Sequence, residues 1–382
     1  MHSRHYVRKP VAPFDILTTM GHNVGQGAVK MAEYVERAIR PAPGSLVNGG
    51  KFEFGTFSSQ FKHVNPLDAQ RPLGAWLPRP LLAGRLKEWQ AFQLGNSRWF
   101  MLAVLYNAKI SALAQFVIYD KERAKKYVFE KILPPWQIKI PASIWDASQS
   151  WQDKDSRIEI ISALNKGRFY INVRVHDNKG LPDIEAHFEA FHDQGAVEPI
   201  VVSIPFGRNR GAYSHKCLMP MQGSLVLGSE KIEFLRTESF AIIDDHKGFY
   251  PYVMQYDWLT AAGYDEKSRL TGFNLTDNQS TDPEKYNENC LWVDGKLNLL
   301  PPVKFERPDG VDGDWTIRDR YGIVDLAFKP VSMGTIDMDL LILRVKYFGP
   351  FGYCSGRIKD RSGNSIVFDR YFSMGEKKYI RG

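Results

Sequence analysis

The strongest constraint on this chain is a period of two. From Trp99 onward, short segments rich in aromatic and β-branched residues follow one another between turn signals, with no helical periodicity between them. Arg168-Phe169-Tyr170-Ile171-Asn172-Val173-Arg174-Val175 alternates strictly, and so does Asp183–Phe191. Alternation at this spacing gives a strand with one face toward a core. Turns are legible at Asn165-Lys166-Gly167, Asp177-Asn178-Lys179-Gly180, Asp294-Gly295 and Ser362-Gly363-Asn364. Strands this short and frequent predict an all-β chain of antiparallel sheets closed as sandwiches or barrels, not a parallel α/β sheet. No internal repeat is visible, which disfavours a propeller or solenoid.

The 382 residues fit two consecutive antiparallel β-barrels of about 150–190 residues each. We place a lead-in over residues 1–50, the first barrel over 51–235 and the second over 236–382, with the seam near Leu235-Arg236-Thr237. In the lead-in, Ala28, Met31, Ala32, Val35, Ala38 and Ile39 recur at helical spacing, and Glu33 and Arg37 form an i,i+4 pair. This predicts a short N-terminal helix near 28–40, stopped by Pro41-Ala42-Pro43-Gly44.

Charge is distributed unevenly. Residues 1–130 carry 18 Lys and Arg against 9 Asp and Glu, and the remainder carries 32 against 34. The basic first third is a candidate for peripheral contact with a membrane surface, or else a solvated face of scattered charges. Nothing in it predicts a nucleic-acid partner. The basic N-terminus leads into no apolar signal region, and the longest apolar patch, Trp99–Tyr106, is too short to span a bilayer. A cytoplasmic protein is expected, with Cys217, Cys290 and Cys354 as reduced thiols. Oligomeric state is not readable.

Several chemistries lack their motifs. There is no phosphate-binding G-x-x-x-x-G-K-[ST], no G-x-S-x-G and no H-E-x-x-H. His187 and His192, with Glu189 between them, have a possible metal spacing, but His192 lies at or past a strand end, and a hydrated sheet face explains the group better. No metal and no cofactor are expected.

Residues 213–292 differ from the rest in setting ionisable groups among aromatics and glycines. The apolar strand Phe240–Ile243 runs straight into Asp244-Asp245-His246. Alternation puts Asp244 and His246 on one face and Asp245 on the other. A carboxylate beside an imidazole is an acid–base pair, and burial would raise the carboxyl pKa. The same residues also describe a strand-end turn with a capping Asp and a surface His. His215 and Lys216 would add a cation nearby. Trp258 and Trp292, with Tyr250, Tyr252 and Tyr256, would line an apolar pocket, stabilise a cationic intermediate, or simply fill core.

The order His215-Lys216, Pro220, Gly223, Asp245, Gly248, Pro251, Trp258, Gly263, Asn274 and Glu288-Asn289 resembles a bacterial family described only as a domain of unknown function. The run Arg85-Leu86-Lys87-Glu88-Trp89-Gln90, leading into Trp99–Asn107, is similar to that family's first-domain opening. The family is grouped with the carotenoid hydratase, tocopherol cyclase and lipocalin-like Diels–Alderase proteins, and the resemblance covers about residues 50–370. It implies two lipocalin-like barrels and an apolar cavity used for hydration, cyclisation or isomerisation without a redox cofactor. Some relatives carry a tryptophan where this chain has Lys247.

Together these features predict a cofactor-independent lyase, hydratase, cyclase or isomerase acting on a hydrophobic small molecule such as a polyene, isoprenoid or acyl chain. Asp245 or Asp244 would be the acid, His246 the relay, and His215 with Lys216 would polarise an oxygen. Tyr256, Trp258, Asn274, Glu288, Asn289 and Trp292 would bind substrate. The alternatives are a non-enzymatic carrier of a hydrophobic ligand, a surface-docking protein, and a carbohydrate-binding protein or glycoside hydrolase using paired acids.

Overall fold

The computed structural model describes residues 33–339 and 344–381. Two large antiparallel sheets, of 14 and 11 strands, account for nearly all of it. The first runs, edge to edge, through Lys125–Leu133, Ala112–Asp120, Trp99–Asn107, Lys87–Gly95, Phe240–Gly248, Arg210–Leu227, Ile184–Phe191, Arg168–Val175, Ser156–Ala163 and Ala147–Gln152. The second is centred on Val253–Tyr264, Ser365–Arg381 and Phe351–Lys359. Each sheet curls around its own core as an antiparallel half-barrel, so the all-β expectation holds. The Phe240–Gly248 strand still pairs within the first sheet, and the second sheet begins at Val253.

Burial explains why some strands alternate and others do not. Arg168–Val175 packs Phe169, Ile171, Val173 and Val175 inward and leaves the intervening side chains at the surface. Trp99–Asn107 is apolar up to its final Asn107 because both its faces are covered. Met101, Ala103 and Leu105 enter the first sheet's core, while Phe100 and Leu102 enter a separate core between the two sheets. That inter-sheet core includes Leu218, Phe240 and Ile242 from the first sheet, and Trp258, Trp292, Phe351 and Phe372 from the second. A third core, around Leu259, Phe273, Trp315 and Phe328, lies inside the second sheet.

The helix expected near 28–40 is not found over its described part, and residues 28–32 lie outside the described residues. Residues 33–38 have no regular secondary structure and lead into the two-residue strand Ile39–Arg40. Tertiary bonds override the local spacing. The buried Arg37 donates to the carbonyls of Leu300 (2.6 Å) and Asn289 (3.2 Å), and Glu36 accepts from the Leu299 N–H and from Arg361. Helical geometry would withdraw these groups from the second sheet. Among the described residues the α-helix is the five-residue Arg79–Ala83, and no helix is long and apolar enough to cross a membrane.

The turn at Asp294-Gly295 joins Cys290–Val293 to Lys296–Leu299 with both residues at positive φ, 51° and 76°. This is the type I′ geometry that fits strand twist. A Cβ on Gly295 would lie 1.9 Å from the Ala196 carbonyl oxygen. Gly295→Ala is therefore expected to cost about 1–3 kcal/mol. A urea unfolding curve with an unchanged midpoint would contradict this.

Candidate functional site

Four neighbouring strands of the first sheet present a grid of side chains to the second sheet. In one row Lys216, Asp244, Ala91 and Val104 stand side by side on successive strands. In the next stand Ser214, His246, Trp89 and Tyr106. Strand alternation thus puts Asp244 and His246 on the inter-sheet face, and the register puts Lys216 and Trp89 beside them.

Glu288 completes the group from the loop that leads into Cys290–Val293 of the second sheet. Lys216 Nζ lies 2.5 Å from Asp244 Oδ1 and 3.8 Å from Glu288 Oε2. His246 Nε2 is 2.9 Å from Asp244 Oδ1 and 3.5 Å from Glu288 Oε2, aligned with neither as a hydrogen-bond donor. Its Nδ1 meets the Tyr250 hydroxyl at 3.0 Å, and its ring stacks on Trp89 at 4.4 Å between centroids. Ser214 Oγ and Thr276 Oγ1 donate to the two Glu288 oxygens at 2.7 and 3.0 Å. Trp258 lies against Lys216, 5.5 Å from its ammonium, and its indole N–H donates to Asn274 Oδ1. Asn274 in turn donates to the Glu288 backbone carbonyl.

Two carboxylates, an ammonium and an imidazole share this buried volume, and their charges cancel only when the imidazole is protonated. Burial alone would raise the pKa of Asp244 and Glu288, but Lys216 and then His246 outweigh it. Asp244 is held well below the usual carboxylate range and Glu288 falls to about 2. Burial alone would lower His246, yet Asp244 lifts it above the ordinary histidine value against the opposition of Lys216. Lys216 is also raised, because Asp244 and Glu288 outweigh its desolvation.

The adjacent Asp245 meets a different environment. It points into the first sheet, in a row with His215 and Gln90, whose Nε2 is 3.5 Å away. Burial pushes its carboxyl up to about 6. Burial, helped by the nearby His192, pushes His215 down to about 3, and neither of its ring nitrogens has a hydrogen-bond partner among the described residues. His215 is therefore neutral and on the far side of the sheet; the cation beside Asp244 is Lys216.

The other sequence-singled residues are dispersed. Tyr256 borders the inter-sheet space and donates to Glu376 at 2.8 Å. Asn289 is fully buried and ties the backbone of Thr276 to that of Pro301. Trp292 is 0% exposed in the inter-sheet core, with its N–H on the Glu198 carbonyl. Tyr252 points to solvent. His187 is exposed, bonding Asn172, and His192 lies 6.5 Å from His215, so the metal-spaced histidines lie apart from the cluster. Sequence reasoning assigned no role to Trp89, Tyr106, Glu376 or Lys378, whose proximity depends on long-range strand pairing. Trp89, Tyr106, Tyr256 and Tyr347 are only partly buried, although Tyr106, Tyr256 and Tyr347 lie deep enough for burial to raise their pKa strongly. Asp244 keeps 13% of its side-chain surface. A space between the sheets therefore reaches the cluster.

The chain belongs to the family described as Domain of unknown function (DUF2804), whose model matches residues 38–381. It is similar to a crystal structure of CghA with Sch210972, at TM-score 0.49 and 11% identity over 78% of this chain and 89% of that one. It is also similar to kievitone hydratase from Nectria haematococca, at TM-score 0.45 and 12% identity over 87% of this chain and 98% of that one. No curated protein matches it.

Removing Lys216 leaves two buried carboxylates facing each other. Lys216→Met is expected to cost about 3–5 kcal/mol at neutral pH. The depressed carboxylates stabilise the wild type above about pH 4, and that contribution is lost as pH falls through their lowered values. The deficit of the variant should therefore narrow below about pH 4, where its own carboxylates take up protons. Urea unfolding of both proteins at pH 7 and at about pH 3.5 measures this.

Proposed function

We propose that the protein is a lyase-type enzyme, a hydratase, cyclase or isomerase, acting on a hydrophobic small molecule such as a polyene, isoprenoid or acyl chain by acid–base chemistry supplied by its own side chains. The observation that carries this reading is His246, its pKa raised within a buried cluster, with Nε2 2.9 Å from Asp244 and 3.5 Å from Glu288 but out of hydrogen-bond alignment with both. Such a proton is held by electrostatics and remains available for transfer. His246 delivers it to an unsaturated carbon or a carbonyl oxygen. Water then adds and gives up a proton to the imidazole, or in cyclisation and isomerisation a neighbouring carbon returns it. The faces of Trp89, Tyr106 and Tyr256 border positive charge that develops on the substrate. Asp244, Glu288 and Lys216 fix the imidazole and its protonation state. Asp245 faces the other side of the strand and is a second acid in a separate environment.

The substrate is to be identified by native mass spectrometry of the full chain from its own cell, with extraction of what co-purifies. With that molecule, His246→Gln is expected to lower kcat by about 100-fold or more while preserving the fold. A folded variant with unchanged turnover would overturn the assignment. The pH profile separates the two acids. If His246 donates, the rate falls as pH rises through its raised value, above about 6.5; if Asp245 donates, it falls through about 6.

A carrier is the second reading, favoured by a cleft of about 1550 Å³ lined by Phe57, Trp145, Leu164, His192, Val197 and Leu297, apart from the cluster. A co-purified molecule that the protein never alters would support it.

A further inference from the structure

One row beyond His246 and Trp89 on the same inter-sheet face stands Lys87. Its row neighbours across the sheet are Gly248 and Ala212, both too short to reach its ammonium. It has no hydrogen bond or ion pair among the described residues. Burial, then Arg85 and Lys378, push it down to about 8. Lys378 approaches from the second sheet, in a row with Tyr256 and Tyr347. It contacts the Tyr256 hydroxyl and lies 3.4 Å from Glu376. Glu376 is already bound by the hydroxyls of Tyr256 and Tyr347, each at 2.8 Å. Arg210, also nearby, spends its donors on the carbonyls of Phe249 and Tyr250. Lys87 thus has no counter-charge of its own, and the one carboxylate beside Lys378 is already occupied.

Like charges held together away from bulk water are costly, and a bound anion relieves them. Aromatic rings line the way toward His246: between centroids, Trp89 lies 5.9 Å from Tyr106 and 5.6 Å from Tyr250, and Phe206 lies 5.4 Å from Tyr250. Lys87 and Trp89 lie two residues apart on a strand, so the cationic end and the proton donor stand about 7 Å apart along it.

We propose that the ligand of the inter-sheet space is amphipathic, with a carboxylate or phosphate head held between Lys87 and Lys378 and an apolar body lying along Trp89, Tyr106 and Tyr250 toward His246. This rests on the reading of that space as the substrate site and narrows the hydrophobic molecule to an anionic one. The head group fixes the depth of insertion, so that one position along the apolar body meets Nε2.

The test uses the full chain and three probes, dodecanoic acid, dodecyl phosphate and methyl dodecanoate, titrated by intrinsic tryptophan fluorescence and calorimetry at pH 7. The acid or the phosphate should bind about tenfold or more tightly than the ester, and whichever binds better identifies the head group. Lys87→Met should bring the anions to the ester's level while leaving ester affinity within about twofold. In the wild type, which needs no variant to fold, the preference for the acid should fall between about pH 7 and about pH 9.5 as Lys87 loses its proton, with ester binding unchanged. Equal binding of acid and ester to the wild type, or a preference that survives both Lys87→Met and high pH, would overturn the anionic head group alone. Binding of none of the three probes would overturn the inter-sheet substrate site itself.

Discussion

The Phe240–Gly248 strand has no face toward solvent, and much of the molecule is arranged around that fact. Ala241, Ile243, Asp245 and Lys247 enter the first sheet, whereas Phe240, Ile242, Asp244 and His246 meet the second. Ionisable side chains on such a strand cannot find their compensation in water, so each must find it across the register or across the gap between sheets. Lys216 supplies it from the neighbouring strand and Glu288 from the opposite sheet's side. Sheet packing and charge balance are thus one problem with one solution: the sheets can dock in this register because Glu288 brings the second carboxylate that the Lys216 and His246 charges require.

The two adjacent aspartates show how much environment outweighs residue type. They are separated by one peptide bond and are comparably enclosed. Asp244 has an ammonium and an imidazolium against its carboxylate and stays ionised far into acid. Asp245 has an amide at 3.5 Å and a neutral histidine across the register, and desolvation prevails. A single strand therefore carries a permanent anion on one side and a titratable acid on the other.

Much of this was legible in the chain. Alternation identified the sheets, and period two alone placed Asp244 and His246 together with Asp245 opposed. The family resemblance, with the Asp245–Gly248 and Glu288–Asn289 positions in order, pointed to the right family and the right fold, and the family match runs slightly further than expected at both ends. What failed was information of another range. The helical spacing at 33–40 is real, but Arg37, outside any helix, gains two carbonyl acceptors some 250 positions away. Trp89 stacks on His246 through a pairing of strands about 155 residues apart, for which no local pattern exists. Tyr252 and Trp292 share the aromatic character of the site residues and differ from them only in direction, one to solvent and one into core.

The crossing from one sheet to the other takes place in the short segment between Gly248 and Val253, and it leaves the two halves unequal. His246, its stacking partner Trp89 and the lysine beside it, Lys216, all belong to the first sheet; of the ionised groups around the imidazole, only Glu288 comes from the second sheet's side. Tyr256, Tyr347, Glu376 and Lys378, which bound the far wall, belong to the second. The ionisable cluster and the wall that faces it are thereby supplied by different stretches of chain, each with a core of its own. Substitutions that reshape the far wall therefore leave the strand neighbours of His246 intact.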